Sequence, residues 1–265
     1  MKRIAIPHLL IAMSLIVFIE SCYPGNSIPD PYYVSQDRQK ENIYYVPSAT
    51  NAPLLTEKGD MSFDVMRASG SKFTGVEIQG ACLPSQHIGV IASYSSGGNN
   101  SSEYQDYVTY NRFELGGGYV TKLSKGWHFE TYGGWGNGKI NNQHYTGYST
   151  IRSNHFFLQP SIAISNTSKT VQFGITSKFS GFKFNVRDTL FDTDREQFSS
   201  NQIKSLYQTP FHVMWEPALV FRAGWKYIMF NAQYSYSSDL TNGDLHRDRN
   251  NFSIGLLLKY NVIKD

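Results

Sequence analysis

Apolar and polar residues alternate with a period of two along most of this 265-residue chain. From Val76 it reads V-E-I-Q-G-A-C, apolar on even positions, and Ile88, Val90, Ala92 and Tyr94 continue after a turn. The same alternation runs through 113–119, 127–135, 156–164, 171–178, 211–222, 228–236 and 252–260, preceded by the shorter Met61, Phe63, Val65. Strict alternation repeated in this way is the signature of half-buried strands. It predicts ten of them.

The connections alternate as well. Short ones cover 84–87, 123–126, 166–169 and 223–226; long polar ones cover 97–108, 138–153, 187–208 and 238–250. The first hairpin, near "SGSKF", is a short exception. Short turns at one end and long loops at the other predict an all-β fold. It is a single antiparallel up-and-down transmembrane β-barrel, with turns in the periplasm and loops outside. An even strand number brings both barrel ends to the turn side.

A soluble lipocalin-like barrel would also alternate, with its apolar face inward. The polar face here carries Asp64, Glu77, Glu114, Glu130, Glu216, Lys178, Arg222 and Lys259, both signs at mid-strand. In a narrow lumen such charges can pair across the barrel. The apolar face carries Trp127 beside a short turn, and Trp135, Tyr94 and Tyr236 beside long loops, as aromatic girdles at a bilayer boundary require. Two prolines, Pro160 and Pro217, fall inside strands and predict local bulges. The apolar pattern also shifts to even positions at Phe182, Phe184 and Val186, which predicts a bulge at Ser180–Gly181.

The N-terminus is different. Lys2 and Arg3 precede an apolar run, Leu9 to Ile19, of signal-peptide length and too short to span a bilayer as a helix. "IESC" follows. Ile19, Ser21 and Cys22 resemble the bacterial lipobox, in which the cysteine becomes the acylated first residue; Glu20 departs from that pattern. The expected organisation is a signal peptide over 1–21, a periplasmic tether or small plug over 22–59, and the barrel over 60–265. Cys22 and Cys82 are the two cysteines, so an acylated Cys22 excludes an internal disulfide. Net charge is +3 with signs mixed, which is no polybasic footprint for nucleic acid. Aromatics reach 15%, with 18 Tyr, 17 Phe and 22 Gly, a composition that favours strands and tight turns.

"VPSATNAPLLTEKGD", followed by glycine-rich aromatic hairpins such as "FETYGGWGNGK", resembles a group of small outer-membrane β-barrel proteins of Bacteroidetes-type bacteria. Many of these carry a cysteine after the signal. The resemblance covers most of the mature chain. It implies an outer-membrane location and carries over no catalytic residue.

Candidate chemistry is sparse. "GGWGNGK", Gly133 to Lys139, matches G-x-x-x-x-G-K, but Ile140 stands where a phosphate loop needs Ser or Thr. It reads better as a strand entering a loop. "DTD" at 192–194 lacks the ligand spacing of a calcium loop. No H-E-x-x-H or Cys/His cluster suggests a metal, and no cofactor is implied. His144, His155, His246, Asp244 and Asp248 are assigned to the loop side, where a barrel enzyme would hold an Asp/His or Ser/His pair. Glu77, Glu114, Glu130, Lys178, Glu216, Arg222 and Lys259 form the expected lumen charge network, a locked interior more than an ion path, since aqueous channels need about 16 strands. The expected role is a non-enzymatic barrel displaying polar loops for adhesion or surface structure. Its partners would be the bilayer and an extracellular ligand. A barrel enzyme acting on surface lipid or peptide, and a lipid-anchored lipocalin-like carrier, are the alternatives.

Overall fold

Each of the ten alternating segments lies in a strand, and the expected 238–250 loop opens with a short eleventh, β10: β1 (Asp60–Gly70), β2 (Thr74–Cys82), β3 (Ile88–Asn100), β4 (Tyr107–Ser124), β5 (Trp127–His144), β6 (Gly147–Ser165), β7 (Val171–Phe191), β8 (Phe211–Gly224), β9 (Ile228–Tyr236), β10 (Ser238–Asp239) and β11 (Asn250–Asn261). The computed structural model describes residues 42–100, 107–144, 147–191, 197–241 and 245–263. The expected signal peptide, Cys22 and Asp192–Asp194 lie outside the described residues. Pairing is antiparallel between sequence neighbours from β1 to β9, and β11 sits between β9 and β1, which closes the ring. β10 is the end of the β9 wall strand: the β8 register passes unchanged from Ala218↔Ser235 to Trp215↔Ser238. The wall is therefore a closed barrel of ten strands.

The pleat sends alternate side chains to opposite faces. On β6 the outward positions Phe156, Leu158, Ile162 and Ile164 are exposed, while His155, Phe157, Gln159, Ser161 and Ala163 are buried. The outward apolar band runs from Trp127 to Trp135 on β5, from Phe156 to Ile164 on β6 and from Val171 to Phe179 on β7. Each segment matches the roughly 9–11 tilted residues a bilayer core requires. Beyond it the outward positions turn polar: Asn137 and Lys139, then Asn154 and Arg152, then Lys183 and Asn185. Cys82 faces outward on β2, half-buried.

These polar extensions correct the expected loop over 138–153. β5 continues to His144 and β6 begins at Gly147, so the segment is mostly ladder. Above the membrane neither face needs apolar residues, and the backbone pairs without them. The long β7–β8 connection holds helix α1 (Gln197–Gln208), whose Ile203 and Leu206 are buried.

The expected bulges are absent at all three positions. Pro160 stays in register with Thr131, and Pro217 with Ser177. Pairing of β6 with β7 lapses at 159–160 and resumes in the same register, with the Thr176 hydroxyl donating to the Pro160 carbonyl at 3.2 Å. A proline removes one donor; it inserts no residue. The β7–β8 register also runs unbroken through Ser180–Gly181. Phe182 and Phe184 point inward and are buried, so the apolar pattern changed face because the lumen there is apolar. The register does shift between Thr150 and Ile151 opposite β7, and between Lys122 and Ser124 opposite β5.

The occupied lumen as candidate functional site

A ten-stranded wall encloses more space than its own side chains fill, and residues 43–56 take up that space. Every one of them is buried. The segment enters at the loop-side mouth. There Ile43 N–H donates to Asn142 Oδ1 at 2.8 Å, and Asn142 Nδ2 donates back to the Ile43 carbonyl at 3.0 Å. Tyr45 makes a parallel bridge with Arg247, which draws the β10–β11 connection over the mouth. The segment then descends past β2, β4 and β8. It leaves at the turn side, where Asp60 Oδ2 accepts from the Thr56 and Glu57 amides at 2.9 and 2.8 Å. Leu54 has φ 52, a left-handed kink near the lower end.

An extended chain threaded alone offers unpaired N–H and C=O groups that must be satisfied in the interior. The predicted lumen charges satisfy them. Arg222 donates from Nη1 to the Pro53 carbonyl at 2.9 Å and from Nη2 to the Ala52 carbonyl at 2.8 Å. Glu77 Oε1 accepts from the Ala49 amide at 2.8 Å and from Asn251 at 3.1 Å, while Ser253 donates to Oε2 at 2.9 Å. Glu130 accepts from the Leu54 amide at 3.3 Å and the Tyr132 hydroxyl at 3.4 Å. Glu216 accepts the Tyr45 hydroxyl at 2.5 Å. Lys259 donates to Gln172 at 2.6 Å, and Asp64 accepts from Asn231. Of the predicted network, Lys178 and Glu114 form a direct ion pair, at 2.5 Å, and His155 adds a bond to the same Glu114 oxygen at 2.8 Å. Among the described residues of the network this is the direct ion pair; Arg222, Glu77 and Glu130 grip the threaded backbone, Glu216 holds the Tyr45 side chain, and Lys259 and Asp64 bond side chains of the wall.

Several residues of this site escaped the sequence reading. Arg112 donates to the Val46 carbonyl, the Tyr45 hydroxyl at 3.2 Å and Ser48 at 3.3 Å, and stacks 4.5 Å over the Tyr45 ring. It shares the inward parity of Glu114, and extending that strand by one residue would have found it. Gln79 and Gln159 donate to the Ala49 and Asn51 carbonyls, each at 3.0 Å. Asn51 itself donates to the Gly80 and Ala92 carbonyls, at 3.1 and 2.9 Å.

"GGWGNGK" lies inside β5, so it is not a phosphate loop. Its inward glycines make room for lumen aromatics. A Cβ on Gly134 would meet the Leu115 carbonyl at 2.2 Å and Phe157 at 2.6 Å; one on Gly136 would meet the His155 ring at 2.4 Å.

Of the expected rim candidates, two are placed away from one another. His155 lies in the lumen, and Asp248 accepts from the Lys72 amide at 3.0 Å. Asp244 lies outside the described residues. A different pair does form: His212 Nδ1 sits 2.9 Å from Asp239, and Nε2 sits 2.9 Å from the Thr209 carbonyl. Both ring nitrogens are occupied and the ring is buried, so neither faces a substrate. At the turn side, Leu54, Thr56, Glu57, Lys169, Tyr227 and Lys259 help to line a cavity of about 300 Å3.

A closed antiparallel wall, a lipid-facing apolar band and a polar interior define a transmembrane β-barrel of the bacterial outer membrane, and they exclude a soluble lipocalin-like carrier. No family model matches the chain. No curated protein matches it either. Among solved structures it is similar to the translocator domain of autotransporter NalP from Neisseria meningitidis, with 8% identity, TM-score 0.44, and coverage of 76% of this chain and 87% of that one. It is also similar to the KdgM porin, with 10% identity, TM-score 0.35, and coverage of 75% and 99%. A third is Ail, the attachment invasion locus protein of Yersinia pestis, with 12% identity, TM-score 0.32, and coverage of 77% and 99%.

Proposed function

We propose that this barrel is a non-enzymatic display scaffold, stoppered by its own chain, that presents its loop-side extensions to partners outside the cell. The observation that carries this reading is the filled lumen. With residues 43–56 gripped along the interior, a path through the barrel is closed, the remaining cavity opens at the turn side, and the surface accessible from outside the cell is the loop-side rim. That rim is rich in Asn, Ser, Thr and Tyr on β5, β6 and their neighbours, side chains suited to adaptable polar contact. The occupied His212 ring supports the non-enzymatic part. We place the chain with the small Bacteroidetes-type barrels on its "VPSATNAPLLTEKGD" segment, and assign acylation to Cys22 on its "IESC" context.

Two measurements test this. Purified protein in planar bilayers is expected to give no stable conductance steps, and a protease that cuts the β7–β8 connection is expected to do so on intact cells. Open-pore conductance in the wild type would replace the scaffold reading with a channel. Incorporation of labelled palmitate that is lost in Cys22→Ala is the expected result for the lipid; incorporation unaffected by the substitution would remove it.

A further inference from the structure

The direction of the threaded segment has a topological consequence. β1 begins at Asp60 on the turn side, yet the chain reaches it from above. Asn42 stands at the loop-side mouth, beside Asn142 near the end of β5 and His246 in the β10–β11 connection, whose carbonyl accepts from the Tyr44 amide at 2.8 Å. Contacts then step downward in chain order. Ala49 meets Glu77, Ala52 and Pro53 meet Arg222, Leu54 meets Glu130, and Thr56 and Glu57 meet Lys169 Nζ in the β6–β7 turn, both at 2.9 Å.

We infer that the chain preceding Asn42 is delivered to the cell exterior, so that the mature N-terminal segment, with Cys22, belongs to the surface-exposed face of the protein. The inference rests on the barrel orientation of the display reading and deepens it, since the N-terminal segment joins the displayed surface. A return to the periplasm has no route. The lumen is filled by the segment itself. A path down the outside of the wall would carry peptide N–H and C=O groups through hydrocarbon, at several kcal/mol for each unsatisfied group. The 20 residues from Cys22 to Asn42 reach at most about 70 Å when extended, ample to arrive at the outer leaflet from the mouth. An acyl chain on Cys22 therefore inserts from outside, the opposite leaflet to the one a periplasmic tether would use.

The wild-type protein tests this directly. Arg38 and Lys40 are tryptic sites just before Asn42. Trypsin added to intact cells is expected to cut there and give a new N-terminus at residue 39 or 41, read by N-terminal sequencing of the barrel fragments. Cleavage at these sites only after permeabilisation overturns the inference. A second measurement uses an epitope inserted between Ser35 and Gln36, with controls between Ser101 and Ser102 (loop side) and between Ser85 and Gln86 (turn side). Antibody is expected to stain the first two on intact cells and the third only after permeabilisation. If the Ser35–Gln36 epitope behaves like the turn-side control, the threading direction is wrong. If the two controls are reversed, the orientation itself is wrong, and the display reading falls with the inference.

Discussion

Arg222 shows how a guanidinium inside a membrane protein can take carbonyl oxygens as its hydrogen-bond partners where a carboxylate is more usual. Its planar fork meets two successive carbonyls, Ala52 and Pro53, and Nε meets Asn231 at 3.3 Å. Hydrogen bonds to charged groups contribute about 1.5–3 kcal/mol each. Arg222→Ala is therefore expected to cost about 3 kcal/mol or more and to loosen the segment at 52–53. Urea unfolding in detergent reads the first effect; chymotryptic cleavage newly appearing at Leu55, enclosed in the wild type, reads the second. Lys178 and Glu114 behave differently, because each has the other. Removing one partner strands a buried charge, so Lys178→Ala is expected to cost about 3–5 kcal/mol, with Lys178→Met/Glu114→Leu closer to the wild type. A double-mutant cycle on unfolding free energies checks this. The inward placement of these residues was legible from parity alone, as at Glu77, Glu114 and Glu216. Their partners were not, because 43–56 has no period: each of its residues is surrounded by wall, and no face of it is solvent.

At the scale of the strand, the sequence marks where lipid begins and ends, not where the ladder does. Alternating apolar residues located every membrane crossing. The extensions above, such as Asn137 to His144, read as loop because both of their faces are polar. Helix α1 was missed for a related reason, since Ile203 and Leu206 are its only described buried apolar contacts. The band predicts a depth dependence. Ile162→Arg, facing outward within the apolar band, is expected to lose about 2–4 kcal/mol, while Asn154→Arg on the same face above it stays within about 1 kcal/mol. Refolding into lipid vesicles at graded denaturant distinguishes the two. Gly134→Ala is expected to be as damaging as the buried substitutions, because its Cβ would collide with the Leu115 backbone, which cannot rotate away.

For the whole molecule, the decisive property is that wall and filling are one chain. Deleting residues 43–56 would leave a ten-stranded barrel whose interior retains buried Arg222, Arg112, Glu77 and Glu130 without their backbone partners. Water is expected to enter, and planar-bilayer recordings of the deletion should show conductance that the intact protein lacks. Loss of heat-modifiable gel mobility in the same variant would instead mean that the wall needs its filling to close.

That alternative follows from the threaded path in another way. Residues 43–56 carry side chains such as Tyr45 and Leu55 that are wholly enclosed by the wall, so threading them into a finished ring would require the wall to open around them. Residues 43–56 precede every wall strand in synthesis, and they touch β2, β4, β5, β6 and β8, strands that do not all neighbour one another. They can serve as a mandrel around which the sheet curls before the β11–β1 pairing closes the ring. Supplied as a separate peptide after assembly, the same sequence is expected to leave a deletion barrel unfilled; supplied during refolding, it is expected to be captured.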